Sequence, residues 1–264
     1  TKKTTEKEFF MKRLKLFALV ALAIGGYSDV ANAETIILAS DDFVGITFWL
    51  ISMGMLAATA FFFLERGSVA SNWKTPVTVA GLITGVAFIH YMYIRGVWVQ
   101  TGDVPTLYRY IDWLITMPLQ MVAFYLILVA VKKVPVGIFW RLLIGSLAML
   151  VGRYLGEAGY INEMLGFIIG MAGWIYILYE VFSGEAGKAV ARSGNKALVA
   201  AFSTMRMIIT IGWAIYPLGY VFGYLTGGVD ANSLNVIYNL VDFINKIAFG
   251  LVIWVAAVSS GGRK

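Results

Sequence analysis

The chain has 264 residues, 59% of them hydrophobic and only 14% charged, with a formal net charge of +6. An average soluble domain carries roughly 25% charged residues, so this balance argues against soluble enzymes and nucleic-acid binders, and no nucleic-acid partner is expected; the same numbers exclude disorder. The lack of cysteine excludes disulfides and thiolate metal sites, and a single histidine argues against zinc clusters.

At the amino terminus, Met11-Lys12-Arg13-Leu14-Lys15 is a basic segment, Leu16 to Gly26 is a short apolar stretch, and Ala31-Asn32-Ala33 has small residues flanking one other. This order predicts a leader, residues 1–33, with a secretory signal cut before Glu34. The alternative, a first membrane helix, fits poorly because the apolar run is about half of the ~20 residues a span needs. Thr1 to Phe10 precede a plausible start at Met11 and are assigned no function. Six of the 21 basic residues lie in this leader, so the rest of the chain is only mildly basic. A cleaved signal on a membrane protein puts the new amino terminus outside, which predicts a bacterial inner membrane.

Seven long apolar segments follow, at about 43–64, 75–98, 107–131, 137–156, 162–182, 198–225 and 234–258. Each is long enough to cross ~30 Å of hydrocarbon as a helix. None shows the alternation of a membrane barrel. The breaks carry turn chemistry: Glu65-Arg66-Gly67-Ser68, Thr101-Gly102-Asp103, Gly184-Glu185-Ala186-Gly187 and Thr226-Gly227-Gly228-Val229-Asp230. The predicted fold class is an all-α membrane protein, a seven-transmembrane helix bundle over 34–258 with a tail at 259–264, surrounded by membrane lipid. With the amino terminus outside, the cytoplasmic loops and tail carry Arg66, Lys74, Lys132, Lys133, Arg141, Lys188, Arg192, Lys196, Arg263 and Lys264. The opposite loops carry mainly Asp103, Glu157, Glu163 and Asp230. The positive-inside rule therefore agrees with the leader.

Charges inside spans cost about 2.5–3.5 kcal/mol each on insertion scales and usually mark function. Asp242 and Lys246 are four residues apart on the seventh span and share one helix face; Arg109, Asp112 and Thr116 share a face of the third; His90 lies in the second. Two carboxylates, a lysine, an arginine and a histidine are thus expected in the bundle. A salt-bridge network joining helices 3 and 7 is the structural alternative. Trp113, Trp174, Trp213 and Tyr216, with Pro217 following, are spread over several spans. Aromatics in a bundle are more often packing than a cofactor box, but a mid-span lysine shifts that weighting, because a buried amine can condense with an aldehyde.

Three runs in order complete the pattern: Arg109-Tyr110-Ile111-Asp112-Trp113-Leu114-Ile115-Thr116-Met117-Pro118-Leu119, Gly212-Trp213-Ala214-Ile215-Tyr216-Pro217 and Asn239-Leu240-Val241-Asp242-Phe243-Ile244-Asn245-Lys246, supported by Gly156-Glu157-Ala158-Gly159. Over about residues 41–258 the chain resembles the microbial rhodopsins, specifically the proteorhodopsin family. The resemblance implies all-trans retinal on Lys246 as a protonated Schiff base, with Asp112 as main counterion and proton acceptor and Asp242 as second counterion. It implies that Arg109 tunes the extracellular side, His90 hydrogen-bonds Asp112, and Thr116 supports the counterions. Trp113, Met149, Trp174, Trp213, Tyr216 and Pro217 would line the polyene. Gln120 stands where this family tunes colour, and glutamine there resembles the blue-absorbing type. The implied protein is no enzyme but a light-driven outward proton pump, forming a homo-oligomer, pentamer or hexamer.

One position departs from the family's pumping members. Eleven residues after Asp112, about three turns on, they keep a carboxylate that returns a proton to the imine; here stands Ala123. Reprotonation from cytoplasmic water would then make the photocycle slow and lengthen it as pH rises. A slow pump, a photosensory rhodopsin with little net transport, an engineered donor-less variant and, from a different class, a retinal-free proton-coupled transporter using Asp112, Asp242 and Lys246 stay open. Arg153 stands where a small residue is expected; pairing with Glu157 at i+4 is favoured over a role in colour or gating. Phe167 is bulky where relatives with an antenna carotenoid leave a small residue, so no antenna is expected. Trp49 reaches His90 of a neighbouring protomer in ring-forming relatives, and packing against lipid is an equal alternative.

Overall fold

The computed structural model describes residues 38–261, so the expected leader with its cleavage site before Glu34, and Arg263 and Lys264 of the expected tail, lie outside the described residues. Seven helices in it are long and apolar enough to cross a membrane: α1 (Phe43–Glu65), α2 (Lys74–Thr101), α3 (Thr106–Val131), α4 (Gly137–Glu157), α5 (Glu163–Phe182), α6 (Lys196–Gly223) and α7 (Ala231–Gly261). This is the seven-helix bundle that the hydropathy pattern predicts, and helices are what hydrocarbon demands, because each satisfies its own backbone polar groups.

The helix ends follow from local chemistry. Asp42 caps α1 by accepting from the Gly45 amide at 2.8 Å. Asn162 caps α5 through the amides of Met164 and Leu165 at 3.0 and 3.2 Å, and α2 ends at Gly102, whose φ of 70° suits glycine. α4 and α5 approach along small residues. A Cβ on Gly166 would lie 2.7 Å from the Gly156 Cα, and one on Gly173 would lie 2.7 Å from the Met149 nitrogen. Such contacts allow close van der Waals packing where apolar lipid supplies little drive for association.

Two departures from the sequence expectation matter. The break at Gly184-Glu185-Ala186-Gly187 is not a simple turn, because Glu185–Ala191 forms a short helix. The buried Glu180 carboxylate accepts from the Ala186 amide at 3.0 Å and so occupies an amino-terminal donor of that helix. The sixth span is also not one regular helix. Its α-helical parts, Lys196–Met207 and Trp213–Tyr220, are joined by a π-helical turn over Ile208–Gly212, and a second π-turn spans Val221–Leu225. The Trp174 indole donates to the Ile209 carbonyl at 2.9 Å within the first turn.

Candidate functional site

The central lysine stands between two carboxylates. Lys246 Nζ donates to Asp112 Oδ2 from α3 in a close contact and to Asp242 Oδ2, one turn earlier on α7, at 3.0 Å. All three side chains are about 2% exposed or less. One lysine against two carboxylates leaves the group a formal negative charge, which a buried site tolerates only with further donors. Those donors go to Asp242: the Tyr91 hydroxyl at 2.8 Å, the Tyr216 hydroxyl in a close contact, and the Trp113 indole at 3.4 Å. Asp112 has no such set. Among the described residues its Oδ1 is buried with no hydrogen-bond partner, so this carboxylate keeps an oxygen that can take a proton.

Arg109 lies in the same run of polar groups but makes no ion pair among the described residues. Its guanidinium donates to Asn235 Oδ1 and Asn239 Oδ1, both at 2.8 Å, and to the Tyr91 hydroxyl at 3.3 Å. It stacks 5.7 Å from the Phe48 ring centroid and 5.5 Å from that of Tyr238. Asn239 also donates to the Thr47 hydroxyl at 2.9 Å, which extends the run to α1. The predicted faces therefore meet: Arg109, Asp112 and Thr116 from α3 with Asp242 and Lys246 from α7. Sequence reasoning missed Asn235, Asn239 and Tyr91. The two asparagines were legible, since 235, 239, 242 and 246 recur at helix spacing; nothing in the sequence separates Tyr91 from a packing tyrosine.

His90 sits differently from expectation. No hydrogen bond joins His90 to Asp112; His90 Nε2 and Asp112 Oδ1 are each buried without a partner. The His90 ring faces the edge of Tyr91 instead, with centroids 6.2 Å apart. Thr116 donates to the Asp112 backbone carbonyl at 3.1 Å, and its hydroxyl also lies within hydrogen-bond reach of the Asp112 carboxylate.

Beside the lysine lies a cavity with about 60 Å³ of free volume. Trp113, Met149, Trp174, Trp213, Tyr216 and Pro217 line it, joined by Tyr110, Met117, Leu150, Arg153, Gly170 and Met171. The wall is almost wholly apolar and aromatic. Trp113 and Tyr216 belong both to the cavity wall and to the shell of Asp242, so they mark its end toward Lys246. Gln120 is buried one turn beyond Met117 but is not part of the wall, and its Nε2 has no partner. Gly212 is required here, because a Cβ would run into the Asn245 amide next to Lys246.

These features agree with known proteins. The chain matches the family described as bacteriorhodopsin-like protein over residues 42–260. It is 58% identical over 255 residues to the blue-light absorbing proteorhodopsin of Gamma-proteobacterium Hot 75m4, covering 96% of this chain and 100% of that one. The chain belongs to the bacteriorhodopsin-like family, among the proteorhodopsins. The green-light absorbing proteorhodopsin of Gamma-proteobacterium EBAC31A08 is 54% identical, over 86% of this chain and 91% of its own. The crystal structure of a blue light-absorbing proteorhodopsin from Med12 superposes with a TM-score of 0.71 at 51% identity, over 83% of this chain and 99% of that one. That likeness extends the family's seven-helix fold to this chain.

The remaining expected positions of this rhodopsin are resolved as follows. Ala123 is fully buried, packed in the apolar core that also holds Phe124, Phe202 and Phe249. Arg153 pairs with Glu157 in a close contact, as expected, but also reaches the cavity wall. Phe167 stacks on Tyr220 at 5.6 Å and 13°. Trp49 is 40% exposed, with the Arg95 guanidinium 4.6 Å from its ring centroid. The bundle also holds a carboxylate the sequence reading passed over. Glu180, 4% exposed, takes both a 3.0 Å and a 3.2 Å hydrogen bond from Arg141, which was read as a loop charge.

Proposed function

We propose that this proteorhodopsin binds all-trans retinal on Lys246 and acts as a light-driven outward proton pump that absorbs blue light and turns over slowly. Retinal held on a lysine is the family's cofactor, and it supplies light absorption and the isomerisation that moves the proton-bearing nitrogen. The residues fit that group: an apolar, aromatic cavity has at one end a buried amine faced by carboxylates. Glutamine at 120 and 58% identity to a blue-light absorbing relative support the colour.

The single observation that carries the proposal is the unequal treatment of the two carboxylates. Asp242 is held by Tyr91, Tyr216 and Trp113 as well as Lys246, so it serves as the fixed counterion. Asp112 contacts the lysine nitrogen and has an oxygen without a partner, so it accepts the proton. Beyond it, Arg109 with Asn235 and Asn239 forms the polar side toward which the proton leaves. Thr116 supports Asp112 from the next turn of the same helix. Ala123 stands where a donor carboxylate is expected, so the proton returns from cytoplasmic water. The amino terminus outside, the inner membrane, a pentamer or hexamer and the lack of an antenna carotenoid complete the proposal; the Phe167–Tyr220 stack supports the last of these. Ala123 also favours a second reading, a photosensor with little net transport.

Adding all-trans retinal to the purified chain should give a visible band, and Lys246→Ala should abolish it. A colourless product would defeat the proposal. Illuminated cells should acidify their medium, with the change collapsed by a protonophore. A coloured protein without acidification would favour the photosensor.

A further inference from the structure

We infer that Arg153 and Glu157 form a colour-setting dipole for the bound chromophore, with Arg153 as a specificity-determining residue. The inference rests on the proposal that retinal occupies the cavity. Arg153 is on α4, which packs chiefly on α3 and α5. With Met149, Leu150, Gly170, Met171 and Trp174 it forms the part of the cavity wall contributed by α4 and α5, while Lys246 and Asp242 are carried by α7. Gly170 makes room for it, since a Cβ there would meet the Arg153 Cγ. The guanidinium lies 3.9 Å from the Tyr220 ring centroid and is only 14% exposed.

Its partner faces elsewhere. Glu157 lines a second, larger cavity of about 360 Å³ with Asp103, Glu163, Asn235 and Tyr220, and reaches the first through the Tyr110 hydroxyl, which bonds to both Arg153 and Glu157. The ion pair is therefore oriented, with its cation at the chromophore wall and its anion one helical turn away. The two side chains are 14% and 7% exposed, so their fields are screened less than at the surface and do not cancel at the nearer cavity.

Exciting a conjugated chain with a protonated nitrogen at one end moves positive charge toward the other end. A fixed cation at that other end raises the energy of the excitation. Arg153 thus shifts absorption to shorter wavelength, and Glu157 moderates the shift. This acts from the α4 and α5 wall of the cavity, not from Asp112 on α3 or Asp242 on α7, and independently of Gln120.

Absorption spectra of four retinal-loaded variants test this. R153M should move the band to longer wavelength, while R153K should stay close to the parent. E157Q, which does not alter the cavity wall, should move it to shorter wavelength. R153M/E157Q, in which no lone buried carboxylate remains should R153M fold poorly, should lie between the parent and R153M. A shape effect of residue 153 alone would leave E157Q at the parent position, and that result overturns the inference. So does a band unmoved in R153M and the double variant, or moved to shorter wavelength. A parent chain with no visible band would defeat the retinal proposal instead.

Discussion

Toward the amino-terminal ends of α3 and α7, the bundle interior holds Arg109, Tyr91, Asn235, Asn239, Asp112, Asp242 and Lys246 in one connected set of hydrogen bonds. Toward their carboxyl-terminal ends the same two helices bring together Ala123, Phe124, Ile127, Phe249 and Ile253, with Phe202 from α6 packed edge-on at 4.9 Å from Phe124. The helices are continuous through both halves, so the difference lies in side chains alone. A proton leaving Lys246 toward the first half meets acceptors at hydrogen-bond distance. One arriving through the second must cross packed hydrocarbon, where an isolated charge is expensive. On the proposed function, the asymmetry that gives transport a direction also slows the return step.

The polar half breaks first at its acceptor. Asp112→Asn keeps the shape but removes the group that takes the proton, and light-driven acidification should fall by about 10²–10⁴-fold, the usual worth of a positioned acid or base. Measuring medium pH under illumination checks this; acidification at the parent rate would show that Asp112 is not the acceptor.

The apolar half should respond in the opposite sense. Ala123→Glu adds a proton source to the dry core, and the final recovery seen by flash photolysis should quicken by about 10²-fold. In the parent chain that recovery should slow as pH rises, because it depends on protons from solution; in the variant the dependence should weaken. A fast, pH-independent recovery in the parent would remove the contrast between the halves.

How much of this was legible depends on what sets each feature. Hydrocarbon thickness imposes span length, so the seven helices could be read to within a few residues. The meeting of Asp112 with Lys246 was readable because a charged face on a membrane helix has few places to go. The hydrogen bonds from Tyr91 and Tyr216 to Asp242 were not, because a tyrosine in a span looks like packing until its hydroxyl is placed. Glu180 was overlooked because its position near a span end resembles a solvated one, although it is buried against Arg141. The π-turn at Ile208–Gly212 leaves no pattern in hydropathy, and the expected His90–Asp112 bond depended on a ring orientation that spacing does not fix.

The boundary between the halves is fixed by Gly212, which faces the Asn245 amide beside Lys246. Gly212→Ala should force that amide aside and cost about 1–3 kcal/mol, as overpacking does. Thermal bleaching of the band should occur at lower temperature, with the parent's spectrum little changed because the cavity wall is intact. An unchanged bleaching temperature would mean that α6 and α7 separate freely at this point.

The smallest effect is expected where the polar half meets the loop before α7. Asp230 accepts from the Ser233 amide at 3.0 Å and its hydroxyl at 2.6 Å, capping the first turn of the helix that carries Asn235, Asp242 and Lys246. The Ser233 side chain, then its amide, holds the Asp230 carboxyl below the ordinary aspartate range. A carboxyl whose folded value is depressed stabilises the fold above its unfolded value and loses that contribution as pH falls through the folded one. Asp230→Asn keeps an acceptor for the cap without the charge, so it should flatten the acid side of the stability profile while leaving neutral stability nearly unchanged. Asp230→Ala should lower neutral stability slightly as well. Since the group is fully exposed, solvent screens it, and an acid slope as steep in Asp230→Asn as in the parent would assign that slope to the buried carboxylates around Lys246 rather than to this cap.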